Sequence, residues 1–314
     1  MKKVLWFGLG LVAILILTLY FLFSSSFVYD QAINAERAAA GLVRKTIQVD
    51  DHRIAYLEGG AGEVVVLLHG FGAEKDNWDR FAKYLQPGCQ IFIPDLPGFG
   101  ESGKLPEAHY DIANQVKRLN RIAEALNLRK FHLAGNSMGG MIACEYAAQF
   151  PEKVLSLGLF APGGVFPPHK SELMNLLEKG ENPLLVKTPE DFDRMLSLLF
   201  VSPPPFPAPF KKILAERAMA NAAFNEKIFK DMSADFRTPD SPLAPFLPKV
   251  AAPTLIVWGD KDKILDVSSV SILEKGLKNR QTVIMKDTGH VPMLERPQES
   301  AAVYRSFIEK AVKH

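Results

Sequence analysis

Ser137 stands at the centre of a Gly-x-Ser-x-Gly pattern, residues 135–139, and is the candidate nucleophile of this chain. A short apolar stretch precedes the pattern and a helical stretch follows it, so the serine is expected in a sharp strand-to-helix turn. Side chains at Gly135 and Gly139 would collide with neighbouring backbone in such a turn. The turn also places Ser137 at a helix N-terminus, where free N–H groups stabilise developing negative charge. The pattern therefore predicts nucleophilic catalysis by a serine.

A serine hydroxyl needs a base, and His290 is the candidate among the seven histidines of the chain. The hydroxyl is a weak nucleophile near neutral pH, and a histidine with an unperturbed pKa of about 6.5 can take its proton. An isolated loop histidine is usually an ordinary surface residue, but His290 follows the last predicted strand and adjoins Gly289. His69 also follows a strand. Because it precedes the serine in the chain, we interpret it as a structural residue that shapes its loop.

The base needs an acid that orients the imidazole and stabilises its charged form. Asp262 follows the penultimate predicted strand and is our choice for this role. Asp260, at the end of the same strand, is expected to fix the turn as a local cap. Asp287 lies three residues before His290 and could cap that loop. Asp260 and Asp287 remain the alternatives for the acid.

Two backbone N–H groups should hold the carbonyl oxygen as it gains negative charge, and Phe71 and Met138 are expected to supply them. Met138 directly follows the nucleophile, and Phe71 follows His69 and Gly70 in the loop after an apolar strand. Each such donor typically contributes roughly 3 kcal/mol of transition-state stabilisation. The side chains of Phe71 and Met138 are expected to form core or pocket wall.

Strands and helices alternate along most of the chain, which predicts a mostly parallel sheet with helices on both faces. In such a sheet the reactive site lies at the carboxyl ends of the strands. Each candidate site residue follows a predicted strand, so all of them should converge on one edge. A continuous apolar run predicts a buried central strand at 64–68, and further strands are predicted at 90–93, 131–134, 154–160, 254–258 and 282–285.

The N-terminus predicts an uncleaved membrane anchor. Lys2 and Lys3 precede an uncharged apolar run from Val4 to Phe23, long enough as a helix to cross the roughly 30 Å hydrocarbon core of a bilayer. A cleaved signal peptide is the alternative, but its apolar region would be shorter, about 7–15 residues. Because the lysines come before the span, the catalytic domain is expected on the periplasmic or extracytoplasmic side.

Residues 165–248 interrupt the alternation of strands and helices. They hold helical stretches and many prolines, and no strand signal, so we interpret them as a helical cap over the site. The chain is therefore divided into an N-terminal anchor, a linker, the first part of the core, the cap and the second part of the core, at residues 1–26, 27–44, 45–164, 165–248 and 249–314.

Composition excludes several classes of protein. The chain has 314 residues, of which 47% are hydrophobic and 23% charged, so it has ample material for a core. A net charge of +2 predicts no attraction to nucleic acid. Cys89 and Cys144 are expected to be buried free thiols. The sequence leaves the oligomeric state open.

These motifs resemble the α/β-hydrolase family, and within it the membrane-anchored lipases and monoacylglycerol lipases. The order Ser137, Asp262, His290 is the order of that family. The resemblance covers about residues 45–312. Further matching stretches are His69-Gly70-Phe71-Gly72, Asp95-Leu96-Pro97-Gly98-Phe99-Gly100-Glu101-Ser102, Ala161-Pro162-Gly163-Gly164, Thr188-Pro189-Glu190-Asp191-Phe192 and Gly289-His290-Val291-Pro292-Met293.

The resemblance implies an α/β-hydrolase fold that hydrolyses carboxylic esters of glycerol, with a lipid ester as substrate and neither a cofactor nor a metal. Hydrolysis of C–C bonds in aromatic ring-fission products is the second possibility, since that branch has a similar Ser-Met-Gly-Gly turn and a cap. A peptidase or a thioesterase would use the same three residues. A membrane-tethered binding protein without activity would be expected to have lost one of them.

Overall fold

Eight strands form one sheet in the order β1-β2-β4-β3-β5-β6-β7-β8. β1 pairs antiparallel with β2, and β2 antiparallel with β4, while the remaining neighbours are parallel. The predicted mostly parallel sheet is thus confirmed. The strands are β1 Leu42–Val49, β2 His52–Gly60, β3 Glu63–Leu68, β4 Cys89–Pro94, β5 Phe131–Asn136, β6 Val154–Phe160, β7 Thr254–Gly259 and β8 Arg280–Met285.

Helices cover both faces of the sheet and also make up much of the predicted cap region, residues 165–248. Short 3₁₀ turns lie at Lys75–Trp78, Leu247–Lys249 and Val267–Ser269. The α-helices are α1 Ser26–Ala39, α2 Asp79–Leu85, α3 Ile112–Ala125, α4 Met138–Gln149, α5 Glu172–Glu178, α6 Pro189–Leu199, α7 Ala208–Ala220, α8 Ala222–Ser233, α9 Val270–Gly276, α10 Pro292–Glu295 and α11 Pro297–Ala311.

The central strand β3 shows why the sheet is buried on both sides. Successive side chains of a strand point to opposite faces. Val65 and Leu67 pack in the cluster that includes residues of α2 and α11, while Val66 and Leu68 pack in the cluster that includes α3 and α4. A strand covered on both faces is apolar at every position, which is why a continuous run predicted it.

Residues 165–248, which the sequence predicts to be a helical cap, are helical and without strands where the structure describes them. The described residues between 165 and 248 contain α5 to α8 and no strand. Helix α6 begins with a capping box. The Thr188 side chain accepts a hydrogen bond from Asp191 N–H at 3.2 Å, and the Asp191 side chain accepts one from Thr188 N–H at 2.9 Å. Pro189 occupies the first turn. On α8, Lys227 Nζ donates to the carbonyl oxygen of Ala108 at 2.7 Å and so joins the cap to the core.

Helix α1 occupies most of the segment interpreted as a linker. The helix spans Ser26–Ala39. Tyr29 of α1 is buried against Phe210 of α7, with ring centroids 5.6 Å apart in an edge-to-face arrangement. Strand β1 begins at Leu42, three residues before the predicted start of the core. Helix α1 therefore packs against the cap.

The computed structural model describes residues 10, 12, 14, 18, 19, 26–205, 207–234 and 241–311. The predicted anchor at residues 1–26 therefore lies outside the described residues, apart from positions 10, 12, 14, 18, 19 and 26. No helix within the described part of the chain combines the length and the apolar character needed to cross a membrane. Cys89 and Cys144 are buried and free, which confirms that prediction.

Candidate active site

Ser137 lies in a strained turn between β5 and α4. Its backbone has φ 54° and ψ −118°, a combination that a residue with a side chain rarely adopts. A Cβ added at Gly135 would lie 2.2 Å from the carbonyl oxygen of Gly139, and one added at Gly139 would lie 2.4 Å from that of His69. The predicted steric need for glycine at both positions is confirmed.

The loop after β3 lies directly against this turn. A Cβ added at Gly70 would be 3.3 Å from the Cβ of Ser137. On the other side, the carbonyl oxygen of Ser137 accepts a hydrogen bond from Gly163 N–H at 2.9 Å, and its own N–H donates to Phe160 at 3.0 Å. The ends of three neighbouring parallel strands, β3, β5 and β6, therefore meet around the serine.

The two residues predicted to supply oxyanion donors flank Ser137. Met138 is the first residue of α4, where backbone N–H groups lack partners within the helix. Phe71 follows Gly70 in the loop that touches the serine. Its ring packs edge-to-face on Phe99 at 5.8 Å and on Phe229 of α8 at 5.6 Å, so its side chain forms wall between core and cap.

His290 and Asp262 are joined by a buried hydrogen bond. Nδ1 of His290 lies 2.8 Å from Oδ2 of Asp262, and both residues are less than a tenth exposed. The other carboxylate oxygen accepts from the N–H groups of Ile264 and Leu265 at 2.8 and 3.0 Å. These bonds fix the carboxylate. Because Nδ1 is engaged, Nε2 is the ring nitrogen left to exchange a proton with a reacting group.

The two alternative acids lie elsewhere in the same loops. Asp260 Oδ1 lies 3.4 Å from the N–H of Thr288, a long contact between the loops after β7 and β8. Asp287 is exposed and has φ 49°, the left-handed conformation of a turn residue. The structure thus brings Asp262 to His290, and it gives Asp260 and Asp287 positions in the turns.

His69 is part of the loop framework. Leu96 N–H donates to its Nε2 at 2.9 Å, and its Nδ1 lies 2.8 Å from the carbonyl oxygen of Gly70. The first contact requires an unprotonated Nε2, so Nδ1 carries the hydrogen. Burial lowers the pKa of His69, which keeps the ring neutral. These contacts agree with the interpretation of His69 as a structural residue.

Asn136 was not singled out from the sequence, yet it connects the serine turn to the histidine loop. Its Nδ2 donates to the carbonyl oxygens of Phe160 at 3.0 Å and of His290 at 3.1 Å. Asn136 and His290 are far apart in the chain, so no local pattern predicts this bridge. The signal available in the sequence was an asparagine directly before the candidate nucleophile Ser137.

The comparisons with known proteins agree with this architecture. The model of the alpha/beta hydrolase fold family matches residues 63–297. The chain belongs to this family. Lipase 1 of Psychrobacter immobilis is 36% identical to it over 88% of each chain. Monoacylglycerol lipase abhd6-B of Xenopus laevis is 33% identical, over 87% of this chain and 84% of its own length.

A solved structure described as a membrane phospholipase A and a bacterial virulence factor is also similar. It is 47% identical, the match covers 100% of both chains, and the TM-score is 0.90. The resemblance to lipases and monoacylglycerol lipases that the motifs predicted is confirmed. This α/β-hydrolase is a carboxylic ester hydrolase.

Within the described residues, no three His, Cys, Asp or Glu side chains lie close enough together to hold a metal ion. The buried thiol of Cys144 lies on α4, and burial raises its pKa to about 12. A thiol in that state is protonated and a poor nucleophile.

Proposed function

We propose that this chain hydrolyses carboxylic esters of glycerol lipids through Ser137, His290 and Asp262, by way of an acyl-enzyme. The 2.8 Å hydrogen bond between His290 and Asp262, at the strand edge that also carries the strained serine turn, is the observation that carries the proposal. A carboxylate on Nδ1 holds the ring in the tautomer whose Nε2 accepts a proton, and it stabilises the imidazolium.

The proposed reaction has two steps. His290 takes the proton of Ser137, whose oxygen attacks the ester carbonyl, while the N–H groups of Phe71 and Met138 hold the negative oxygen. The C–O bond of the ester then breaks, and His290 protonates the leaving alcohol. In the second step His290 takes a proton from water, whose oxygen attacks the acyl carbon. The bond to Ser137 then breaks, His290 returns the proton to the serine oxygen, and the fatty acid leaves.

The cap and the named relatives support a lipid substrate. Apolar residues of the cap pack toward the core next to the site, as Phe229 does on Phe71. An apolar cover with few polar groups suits an acyl chain. Relatives are named lipase and monoacylglycerol lipase, which supports acylglycerols as the substrate class.

A phospholipid ester is the second candidate. It is favoured by the similarity to the membrane phospholipase A, which extends over the full length of both chains at 47% identity. The reaction at the carbonyl would be the same, because acylglycerols and phospholipids present the same ester to Ser137. They differ in the leaving alcohol, which carries a phosphate in the phospholipid.

We also propose that residues 1–26 anchor the chain in a membrane, with the catalytic domain on the extracytoplasmic side. The uncharged run from Val4 to Phe23 behind Lys2 and Lys3 supports this, as its length and flanking charges are those of a signal anchor. Residues 27–44 would connect the anchor to a core formed by 45–164 and 249–314, with 165–248 as the cap.

The experiment for the reaction uses the purified full chain in detergent with monoacylglycerols, phospholipids and p-nitrophenyl esters of increasing acyl length. We expect turnover of medium or long acyl esters, and nearly complete loss of it in Ser137→Ala at an unchanged melting temperature. A fluorophosphonate probe should label the wild type at Ser137. Normal turnover by Ser137→Ala would contradict the proposed mechanism.

The same assay distinguishes the other functions. Labelling of Ser137 without turnover of any ester would direct attention to the C–C bonds of ring-fission diketones. Absence of both labelling and turnover would favour a membrane-tethered binding protein.

The anchor is tested by separating membranes from soluble protein after expression. The full chain is expected with the membranes, and a chain lacking residues 1–26 in the soluble fraction with its esterase activity. Equal sedimentation of both forms would contradict the anchor.

A further inference from the structure

Glu295 connects the cap to the loop that carries His290. It is the last residue of α10 and is half-buried. One carboxylate oxygen accepts a hydrogen bond from Gly289 N–H at 2.8 Å. The other accepts from Val201 N–H at 3.1 Å and from Ser202 N–H at 2.6 Å. A single carboxylate therefore accepts hydrogen bonds from three backbone N–H groups in two segments. Hydrogen bonds to a charged acceptor are stronger than those between neutral groups.

A second contact joins the same two segments on the other side of Gly289. The N–H of His290 donates to the carbonyl oxygen of Leu199 at 2.9 Å. The approach is so close that a Cβ added at Gly289 would lie 2.4 Å from that oxygen. The end of α6 and the chain after it, residues 199–202, thus lie directly along the backbone of His290.

The sequence after this contact makes the connection stiff. Residues 203–205 are all proline, which has no N–H and a fixed φ, so Val201 and Ser202 are the last donors before this run. A polyproline segment is extended and resists bending. A displacement of the cap next to the prolines is therefore carried to residues 199–202, and from there to Glu295 and the histidine loop.

We propose that Glu295 is a positioning residue that couples the proline-rich edge of the cap to His290, so that proton transfer depends on where the cap lies. The inference rests on the proposed role of His290 as the base. Without the carboxylate, Gly289, Val201 and Ser202 lose their shared acceptor, and the bond from His290 N–H to Leu199 is left to connect the two segments. A misplacement of about 1 Å in a reacting group lowers a rate by roughly 100-fold.

The test compares Glu295→Gln with Glu299→Gln in the full chain. Glutamine has the same shape but one acceptor oxygen, so it cannot hold both segments. Glu299 lies on the next helix and is exposed, which makes its variant a control for loss of one negative charge. We expect kcat per probe-labelled serine to fall roughly 10- to 100-fold in Glu295→Gln, with KM within about twofold, and no change in Glu299→Gln.

A short soluble ester such as p-nitrophenyl acetate is included, because it does not need the acyl pocket. The loss should be equally large with it if His290 is displaced. Ser202→Pro removes the nearest donor from the cap side and should reproduce part of the loss. The double variant should lose no more than Glu295→Gln alone, since both substitutions break one connection.

Three outcomes would overturn the inference. The first is a wild-type kcat in folded Glu295→Gln, even with a lower melting temperature, since that indicates a purely structural role. The second is a change confined to the KM of long esters, which indicates a pocket residue. The third is full additivity with Ser202→Pro. Should Glu295→Gln not fold, the kcat of Ser202→Pro decides alone. Activity of Ser137→Ala would instead overturn the proposed function.

Discussion

In the proposed mechanism, the hydrogen-bonded pair of His290 and Asp262 is the smallest unit that determines the chemistry. One carboxylate oxygen of Asp262 is hydrogen-bonded to the imidazole, and the other accepts hydrogen bonds from two backbone N–H groups. The carboxylate therefore has little freedom to rotate. A fixed carboxylate keeps the proton on Nδ1 of His290 and leaves Nε2 as the acceptor. In the proposed mechanism, Asp262, in the loop after β7, therefore sets the direction of proton transfer.

Replacement of Asp262 by asparagine tests this at the residue scale. We expect kcat to fall by roughly 10³- to 10⁴-fold, because the amide can no longer hold the correct tautomer or stabilise the imidazolium. The measurement is ester turnover by the purified variant, with its circular dichroism and melting temperature recorded in parallel. Asp260→Asn is the matched control and should stay within a few-fold of wild type. Loss in the control alone would move the acid role to Asp260.

Helix α1 is attached to the core through buried charges rather than through apolar contacts alone. Arg37 donates two hydrogen bonds to Asp76, at 2.5 and 2.8 Å, and both side chains are close to fully buried. Lys75, which is inaccessible to solvent, lies 3.0 Å from both Asp95 and Glu101. Burial by itself lowers the pKa of Lys75, but the carboxylates of Asp95 and Asp76 raise it, so it stays charged. The network thus joins the N-terminal helix to the loop that follows Phe71.

Arg37→Ala tests the attachment of α1 at the element scale. We expect the free energy of unfolding to fall by about 3 kcal/mol, because the buried carboxylate of Asp76 would lose both hydrogen bonds from the guanidinium and keep its 3.2 Å contact with Lys75. Chemical denaturation of the variant measures this. The matched control is Arg80→Ala, since Arg80 pairs with Glu36 of the same helix at a site more than a third exposed. That variant should lose less than about 1 kcal/mol. Equal losses of unfolding free energy in both variants would show that the buried pair stabilises the protein no more than the exposed pair does.

Asp79 makes the stability of the whole molecule depend on pH. It is 1% exposed, and burial, together with the nearby carboxylate of Asp76, raises its pKa to about 9. In the unfolded chain the same carboxyl ionises near its ordinary value of about 3.9. Between these values the folded state holds a proton that the unfolded state has lost. Stability therefore decreases as the pH rises from about 4 to about 9.

Asp79→Asn is expected to remove this dependence, since the amide has the shape of the protonated acid and does not titrate. The variant should be more stable than wild type at pH 8, by at least about 1 kcal/mol, and the difference should shrink toward pH 5. Unfolding in urea at several pH values measures it. A constant difference across that range would show that Asp79 titrates normally in the folded protein.

Local features let the sequence by itself determine much of this protein. Strand β3 was predictable because it is covered on both faces and its run from Val64 to Leu68 is apolar throughout. The turn at Ser137 was predictable because only glycine fits at 135 and 139, where a Cβ would meet backbone oxygen at 2.2 and 2.4 Å. The α/β-hydrolase family followed from these motifs and their order. Each of these signals depends on neighbours within a few residues.

Contacts between distant segments were decided only by the tertiary structure. Asp260 and Asp262 are two residues apart after one strand, and the path of that loop decides which of them meets His290. Arg37 and Asp76 are 39 residues apart, and Glu295 and Val201 are 94 apart. Such pairs form because the sheet and the cap bring several chain segments together, and no periodicity or local spacing records that arrangement. The physical reason is that a long-range contact depends on the packing of all the elements between its partners.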